Sequence, residues 1–392
     1  MKRHVTEVRV LINALSVTNL SGRHVLLGHL AKLSEWTVGN HEYVVLYHRS
    51  NRDICRDLGP NVKWIECPSY TSRWIRRSLW ELARLPALIA RLKIDFMFML
   101  SGMAVDSCPV PQVSFAQNPW CLVPGVQRTQ GEKFKAALQR REYRKAMEKA
   151  AIVIFNSEYM SRAYRANAGF VEKRAVVVYQ GIDEATFTAA AEMRDKVERN
   201  PFQVVSVSAM APHKGVETAV EAIRLVREKH GVPATLKLIG EWPDRAYERS
   251  IRRQVRDSGL ENIVSFLGHV RRQELHRAYA ESQVFCLMSR CESFGIPGVE
   301  AQVFGTPVVS SNCCAIPEVC GKGGVYLQPD DTEAVALALH RLLTNGEEWA
   351  ELSRAAVVNA SRFRWELCSR PLLKMFEVVR GARQHAVAPG RI

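Results

Sequence analysis

No run of about 18 or more uncharged apolar residues occurs in the chain, so no segment is suited to cross a bilayer as a helix. None of the ten cysteines forms a C-x-x-C pair, and Cys313 and Cys314 are adjacent, a poor geometry for bonding to each other. A disulfide framework and a thiolate metal site are both disfavoured; scattered buried thiols in a reducing compartment account better for the count. Negative charge is scarce, with 40 Asp and Glu against 54 Lys and Arg, a net of +14. No zinc-finger spacing, helix-turn-helix pattern or aromatic RNP-like strand accompanies that basicity, so nucleic acid is not the expected partner. The opening residues, MKRHVTEVRVLINALSV, carry charge inside their apolar stretch. They read as a first β-strand rather than a secretory signal, and the expected location is cytoplasmic.

What the chain does contain is enough for two domains. Its 392 residues allow two cores of ordinary size, and 47% hydrophobic with 24% charged residues is a globular composition. Apolar β-branched runs alternate with helical patterns, which predicts parallel sheets. In the first half the strands are expected at 8–12, 43–47, 62–65, 96–99, 112–115, 152–155 and 176–178. A second series follows at 203–207, 235–239, 264–267, 284–287, 307–309 and 324–327. Two doubly wound, Rossmann-like α/β domains are therefore predicted, at 1–187 and 200–370, separated by the polar stretch 184–200. The last helical pattern, about 371–383, is expected to return to the first domain. Ligands of open parallel sheets gather at the carboxyl ends of the strands, so a cleft between two facing sheets is the expected site.

The charge is unevenly spread. Residues 1–200 hold 30 Lys and Arg against 19 Asp and Glu, whereas residues 201–392 hold 24 against 21. Two segments carry much of the excess. WIRRSLWELARLPALIARLK, from Trp74, sets Trp and Leu among arginines, a pattern that suits either an anionic membrane surface or a core-facing helix with a solvated charged side. EKFKAALQRREYRKAMEKA, from Glu132, is mostly a charged face that would also suit acidic head groups or phosphates.

The segment richest in chemistry is CESFGIPGVEAQVFGTPVV. Glu292 and Glu300 stand with seven residues between them, and Gly295-Ile296-Pro297-Gly298 opens a helix between the two. Pro at an early helical position and Gly just before it suit a helix N-terminus, where free amides and the positive dipole end accept an anion or sugar oxygens. An ordinary strand-to-helix turn with two solvated acids is the plainer reading. The glutamate pair around SFGIPGVEA, followed by GTPVVSS and IPEV, closely resembles the donor-binding signature of the retaining family-four glycosyltransferases (glycosyl transferases group 1), which have the GT-B fold.

That resemblance covers about residues 8–376 and implies roles position by position. Glu292 would sit beside the transferred sugar and Glu300 would hold the nucleotide ribose hydroxyls, with the Phe294, Gly295 and Ile296 backbone on the sugar. SAMAPHKGVETAVEAI resembles the basic donor site, with Lys214 on the diphosphate; Ala209 replaces the family's Arg, and His213 or Arg290 is a candidate substitute. FLGHV, with Gly268 and Val270, resembles the loop that meets the nucleobase. In SFAQNPW, Gln117 stands where relatives carry a His, so a titrating base is not expected there. LSVTNLSGR resembles the loop that lets phosphates approach the backbone, with Ser21-Gly22 for the usual Gly pair; it reads equally as a plain βα turn.

The implied function is retaining transfer of a hexose-type sugar from a nucleotide-sugar to a saccharide acceptor. A lipid-linked, lipopolysaccharide, O-antigen or exopolysaccharide acceptor is expected, at the cytoplasmic face of the inner membrane. No cofactor and no metal are expected, because no D-x-D triplet occurs. Alternatives are a glycan- or nucleotide-binding relative without turnover, prompted by Ala209 and Gln117, and a sugar-nucleotide epimerase or phosphorylase.

Overall fold

The structure, a computed structural model, describes residues 8–168, 175–194 and 196–386. The chain forms two compact units, one of Met1–Gly181 with Trp365–Ile392, the other of Ile182–Arg364. The first contains β1 (Val8–Asn13), α1 (Leu20–Trp36), β2 (His41–His48), β3 (Val62–Cys67), α2 (Trp74–Leu92), β4 (Phe96–Met99), β5 (Gln112–Ala116), α3 (Gln130–Lys149), β6 (Ile152–Phe155), α4 (Glu158–Ala168) and β7 (Ala175–Val177). The second contains α5 (Glu184–Met193), β8 (Asn200–Val207), α6 (Val216–His230), β9 (Thr235–Ile239), α7 (Arg245–Asp257), β10 (Val264–Gly268), α8 (Arg272–Glu281), β11 (Ser282–Leu287), α9 (Ile296–Val303), β12 (Val308–Ser311), α10 (Ile316–Cys320), β13 (Gly324–Leu327), α11 (Thr332–Thr344) and α12 (Gly346–Ala360). The long α13 (Trp365–Ala386) closes the first unit.

Each predicted strand is present, with ends shifted by at most three residues. The sheet orders are β3-β2-β1-β4-β5-β6-β7 and β10-β9-β8-β11-β12-β13, with parallel pairing throughout. Both sheets are covered on both faces, which is why their strands read as near-continuous apolar runs. In β1, Val8, Val10 and Ile12 pack with α1 and with Leu372, Met375 and Phe376 of α13. The intervening Leu11 points the other way, toward Leu85 and Ile89 of α2. In β11, Val284 and Cys286 join α6 and α11, while Phe285 faces the Tyr279 ring of α8 at 6.4 Å. Each such fully buried side chain contributes about 1.5–3 kcal/mol.

The polar stretch expected between the domains holds α5, which packs on α8: Thr186 Oγ1 lies 3.5 Å from His276 Nε2. It therefore goes with the second unit, whose bounds fall at Ile182 and Arg364. At the start of α13, Trp365 is anchored inside the first unit, its ring 5.0 Å from His24 and 4.9 Å from His29. Gly28 of α1 and Gly181 leave the room for that indole, since a Cβ on either would overlap its ring.

Gly28→Ala is expected to destabilise the first unit by about 1–3 kcal/mol through overpacking against Trp365. Thermal denaturation will read this as a drop in Tm of several degrees, and an unchanged Tm would show that the Trp365 contact is dispensable.

Candidate functional site

In the second sheet the strand order reverses between β8 and β11, which pair directly. At such a reversal the loops leaving two neighbouring strands diverge to opposite faces and open a crevice at their carboxyl ends. Lys214 lies in the loop after β8 and Glu292 in the loop after β11. The Lys214 ammonium donates to Glu292 Oε2 at 2.5 Å, and each side chain is only 13% exposed, so the pair is shielded from water far more than a surface ion pair. Glu292 Oε1 also accepts the Ser293 N–H at 3.1 Å. Burial pushes the Glu292 carboxyl up, but Lys214 and the Ser293 amide outweigh it and hold its pKa below the ordinary value.

The two loops are stitched together. Arg290 N–H donates to the His213 carbonyl at 2.7 Å, and the Arg290 guanidinium to the Pro212 carbonyl at 3.1 Å. That guanidinium also pairs with Glu217 at 2.8 Å and with Asp330. Arg290 is thus a brace between carboxylates that ties the loops after β8 and β11 together. Gly215, between Lys214 and α6, has φ +63° and sits so close to the Met288 carbonyl that any side chain would collide with it. Tyr247 of α7 completes the corner, donating its hydroxyl to Glu217 and accepting the Val216 N–H at 3.1 Å.

Glu300 lies one turn into α9, whose N-cap Gly295 has φ +93° and whose first turn contains Pro297. It is part-buried, and its Oε2 accepts from the buried Tyr279 hydroxyl at 3.1 Å. Desolvation of this carboxyl, only partly opposed by Tyr279, raises its pKa to about 7. The Phe294 side chain is core, edge-on to Phe363 at 5.6 Å, which leaves only its backbone available to a ligand. Lys214, Glu292, Gly295, Ile296 and Glu300 thus line one end of the sheet, at and beside the β8/β11 reversal. Gly268 ends β10, the edge strand on the β9 side, and Val270 follows it; the Gly268 carbonyl accepts the Gly240 N–H at 2.8 Å.

The remaining predicted residues belong to the first unit. Gln117 follows β5 and donates to the Leu100 carbonyl at 3.3 Å. Ser21 and Gly22 lie in the first turn of α1. The helix begins earlier than expected, at Leu20, and the Asn19 side chain caps it by accepting the Gly22 N–H at 2.7 Å. That amide is therefore already satisfied. Tyr279, Tyr247 and the Arg290 carboxylate clamp were not apparent from sequence, where a lone tyrosine or aspartate carries no sign of a distant partner.

Two family models match the chain: "Glycosyltransferase Family 4" over residues 29–186 and "Glycosyl transferases group 1" over residues 190–359. Similar proteins include the O-antigen chain mannosyltransferase B of Escherichia coli, 28% identical over 176 residues, 44% of this chain and 45% of that protein. The D-inositol 3-phosphate glycosyltransferase of Acidothermus cellulolyticus is 30% identical over 224 residues, 54% of this chain and 50% of that protein. The chain spans about half the length of the curated relatives it matches. Among solved structures, the Anabaena protein HepE in complex with UDP and glucose aligns with a TM-score of 0.70 at 19% identity, covering 95% of this chain and 100% of that one. The sucrose-phosphate synthase of Thermosynechococcus elongatus aligns with a TM-score of 0.74 at 17% identity, covering 96% and 100%. These likenesses establish the GT-B fold.

Because the folded chain holds a proton on Glu300 up to about pH 7, and the unfolded chain releases it near 4.5, the stability this group contributes is full below 4.5 and lost as the pH rises through 7. Glu300→Gln removes that dependence. The variant is expected to narrow the difference in Tm between pH 5 and pH 8, chiefly by gaining stability at pH 8; an unaltered difference would mean that the carboxyl ionises freely.

Proposed function

Because the chain belongs to the group 1 glycosyltransferases, with the GT-B fold, we propose that it moves a hexose-type sugar from a nucleotide-sugar to a saccharide acceptor, with retention at the anomeric carbon. The observation that carries this reading is the shielded Lys214–Glu292 pair at the strand-order reversal. A lysine held by a carboxylate is preorganised as a compact positive charge for a second anion, the departing diphosphate. The complex of HepE with UDP and glucose supports a nucleotide-sugar as the donor. The O-antigen chain mannosyltransferase relative supports a saccharide of the O-antigen kind as the acceptor.

In this mechanism the anomeric bond breaks as charge builds on the diphosphate, and Lys214 with the α9 amides near Gly295 and Ile296 favours that state over the ground state. Glu292 binds sugar hydroxyls and steadies the oxocarbenium-like carbon. Glu300 takes the ribose hydroxyls, and the backbone at Gly268 and Val270 meets the base. The acceptor hydroxyl attacks from the face the diphosphate leaves and delivers its proton to a phosphate oxygen. No protein base is required in that step, in keeping with a neutral amide at Gln117.

Glu292→Gln is expected to lower kcat by on the order of 10²–10³, the cost of removing one transition-state contact. Retention of more than about a tenth of the wild-type rate would reject its role. Lys214→Ala should weaken nucleoside diphosphate binding about tenfold to a hundredfold, as loss of a charge-assisted hydrogen bond does. A thermal-shift screen of UDP-, GDP- and ADP-sugars, followed by NMR of the product's anomeric configuration, tests donor and stereochemistry together. Tight donor binding with no turnover on any acceptor would mark a binding protein instead.

A further inference from the structure

The loops that leave β11 and β12 bring two thiols together beside the Lys214–Glu292 pair. The two strands run parallel with Leu287 opposite Ser310, so Cys291 and Cys314, each four residues further on, leave the same end of the sheet on neighbouring loops. Side-chain bonds keep those loops aligned. The Ser310 hydroxyl donates to the Leu287 carbonyl, the Ser311 hydroxyl to the Ser289 carbonyl, and the Ser289 hydroxyl to the Cys291 carbonyl at 3.2 Å. The Cys291 and Cys314 side chains are in hydrogen-bond contact. Cys291 is buried and Cys314 half-buried. Among the described residues, Cys314 and Lys93 alone have a positive φ without being glycine, and that of Cys314 is +57°. Such a backbone is disfavoured for a residue with a side chain and persists only where the surroundings enforce it.

The thiols adjoin the candidate site on both sides. Cys291 directly precedes Glu292, and Ile316 lies two residues after Cys314. A Cβ on Gly295 would touch both, at 3.7 Å from Glu292 Cγ and 3.9 Å from Ile316 Cγ1. The two sulfurs differ in reactivity. Contact with Cys314, and then burial, holds the Cys291 thiol protonated, with Lys214 opposing only in part. Cys314 is the thiol that solvent reaches, so an oxidant meets it first. Once Cys314 is oxidised, the largest influence that keeps Cys291 protonated is gone. A disulfide then draws the sulfurs to about 2 Å. Because the strand register and the serine bonds hold the loop bases, that movement falls on Cys291 and Cys314, and through Cys291 on Glu292.

We propose that Cys291 and Cys314 form a reversible disulfide that switches off the Lys214–Glu292 site. With a peroxide as oxidant, the Cys314 thiolate attacks one peroxide oxygen and the O–O bond breaks. Hydroxide leaves and takes up the thiol's proton as water, while Cys314 becomes a sulfenic acid. The Cys291 sulfur then attacks the sulfenic sulfur, and the departing hydroxide carries off the Cys291 proton as a second water. Two thiols are thereby oxidised by two electrons and one peroxide is reduced. The disulfide stands on the geometry of the second unit; its effect on the donor rests on the transferase reading. In the test, the full chain is treated with hydrogen peroxide, remaining thiols are blocked with iodoacetamide, and disulfide-linked peptides are mapped by mass spectrometry. Affinity for UDP, GDP and ADP is measured before oxidation, after it, and again after dithiothreitol. A Cys291–Cys314 cross-link is expected, with at least about a tenfold loss of affinity that reduction restores. Cys314→Ser should form no such cross-link and keep its affinity through the peroxide treatment, whereas Cys313→Ser should respond as the unaltered chain does. The absence of this cross-link, unchanged affinity in the cross-linked chain, or an equal loss of affinity in oxidised Cys314→Ser overturns the proposal. If the reduced chain binds none of the three nucleotides, the transferase reading fails, and the cross-link map alone then upholds or overturns the disulfide.

Discussion

The arrangement of the second unit depends on one contact, the ion pair of Lys214 with Glu292 across the β8/β11 strand reversal. Two charges shielded to this degree are tolerable only together, since removing either partner leaves the other buried and uncompensated. The surrounding structure is correspondingly rigid. Arg290 joins the two loops through the carbonyls of Pro212 and His213, and its own charge is balanced by Glu217 and Asp330. Gly215 lets the lysine loop press against the Met288 carbonyl, an approach that no side chain permits. The pair is thereby placed by backbone contacts rather than by the flexible reach of lysine alone.

The two glutamates of the site show how environment divides one chemical group into two kinds. Glu292, facing a cation and an amide, is stabilised as a carboxylate. Glu300, part-buried and hydrogen-bonded by the Tyr279 hydroxyl, holds its proton to about neutral pH because its desolvation outweighs that bond. Charge is thus available at one end of the site and damped at the other. In the first unit the buried Glu81 is likewise raised by desolvation despite Asn13 and Arg77.

Much of this was readable in the chain itself. The strands were legible because burial on both faces writes them as unbroken apolar runs, and local side-chain patterning survives any detail of packing. The Glu292–Glu300 segment was legible because Gly295 and Pro297 are local demands of a helix start. The earlier start of α1 is a local matter too: Asn19 stands three residues before Gly22, as an N-cap should, so the helix includes Ser21 and Gly22. The basic α2 was recognised as amphipathic, yet its sequence left open whether the leucines face the core or solvent. The fold divides them, burying Leu85 and exposing Leu79 and Leu82.

Sequence by itself determined the α/β class, the thirteen strands and the carboxylate-bearing helix start, because each follows from interactions among residues close along the chain. Only the tertiary structure decided that Arg290 is a brace and not a free cation, that Tyr279 meets Glu300, and that Trp365 occupies the space left by Gly28 and Gly181. Those partners lie between 21 and more than 300 positions apart or on different elements. Charge pairing and steric fit act through space, and the chain order does not record which distant groups the sheets will bring within reach.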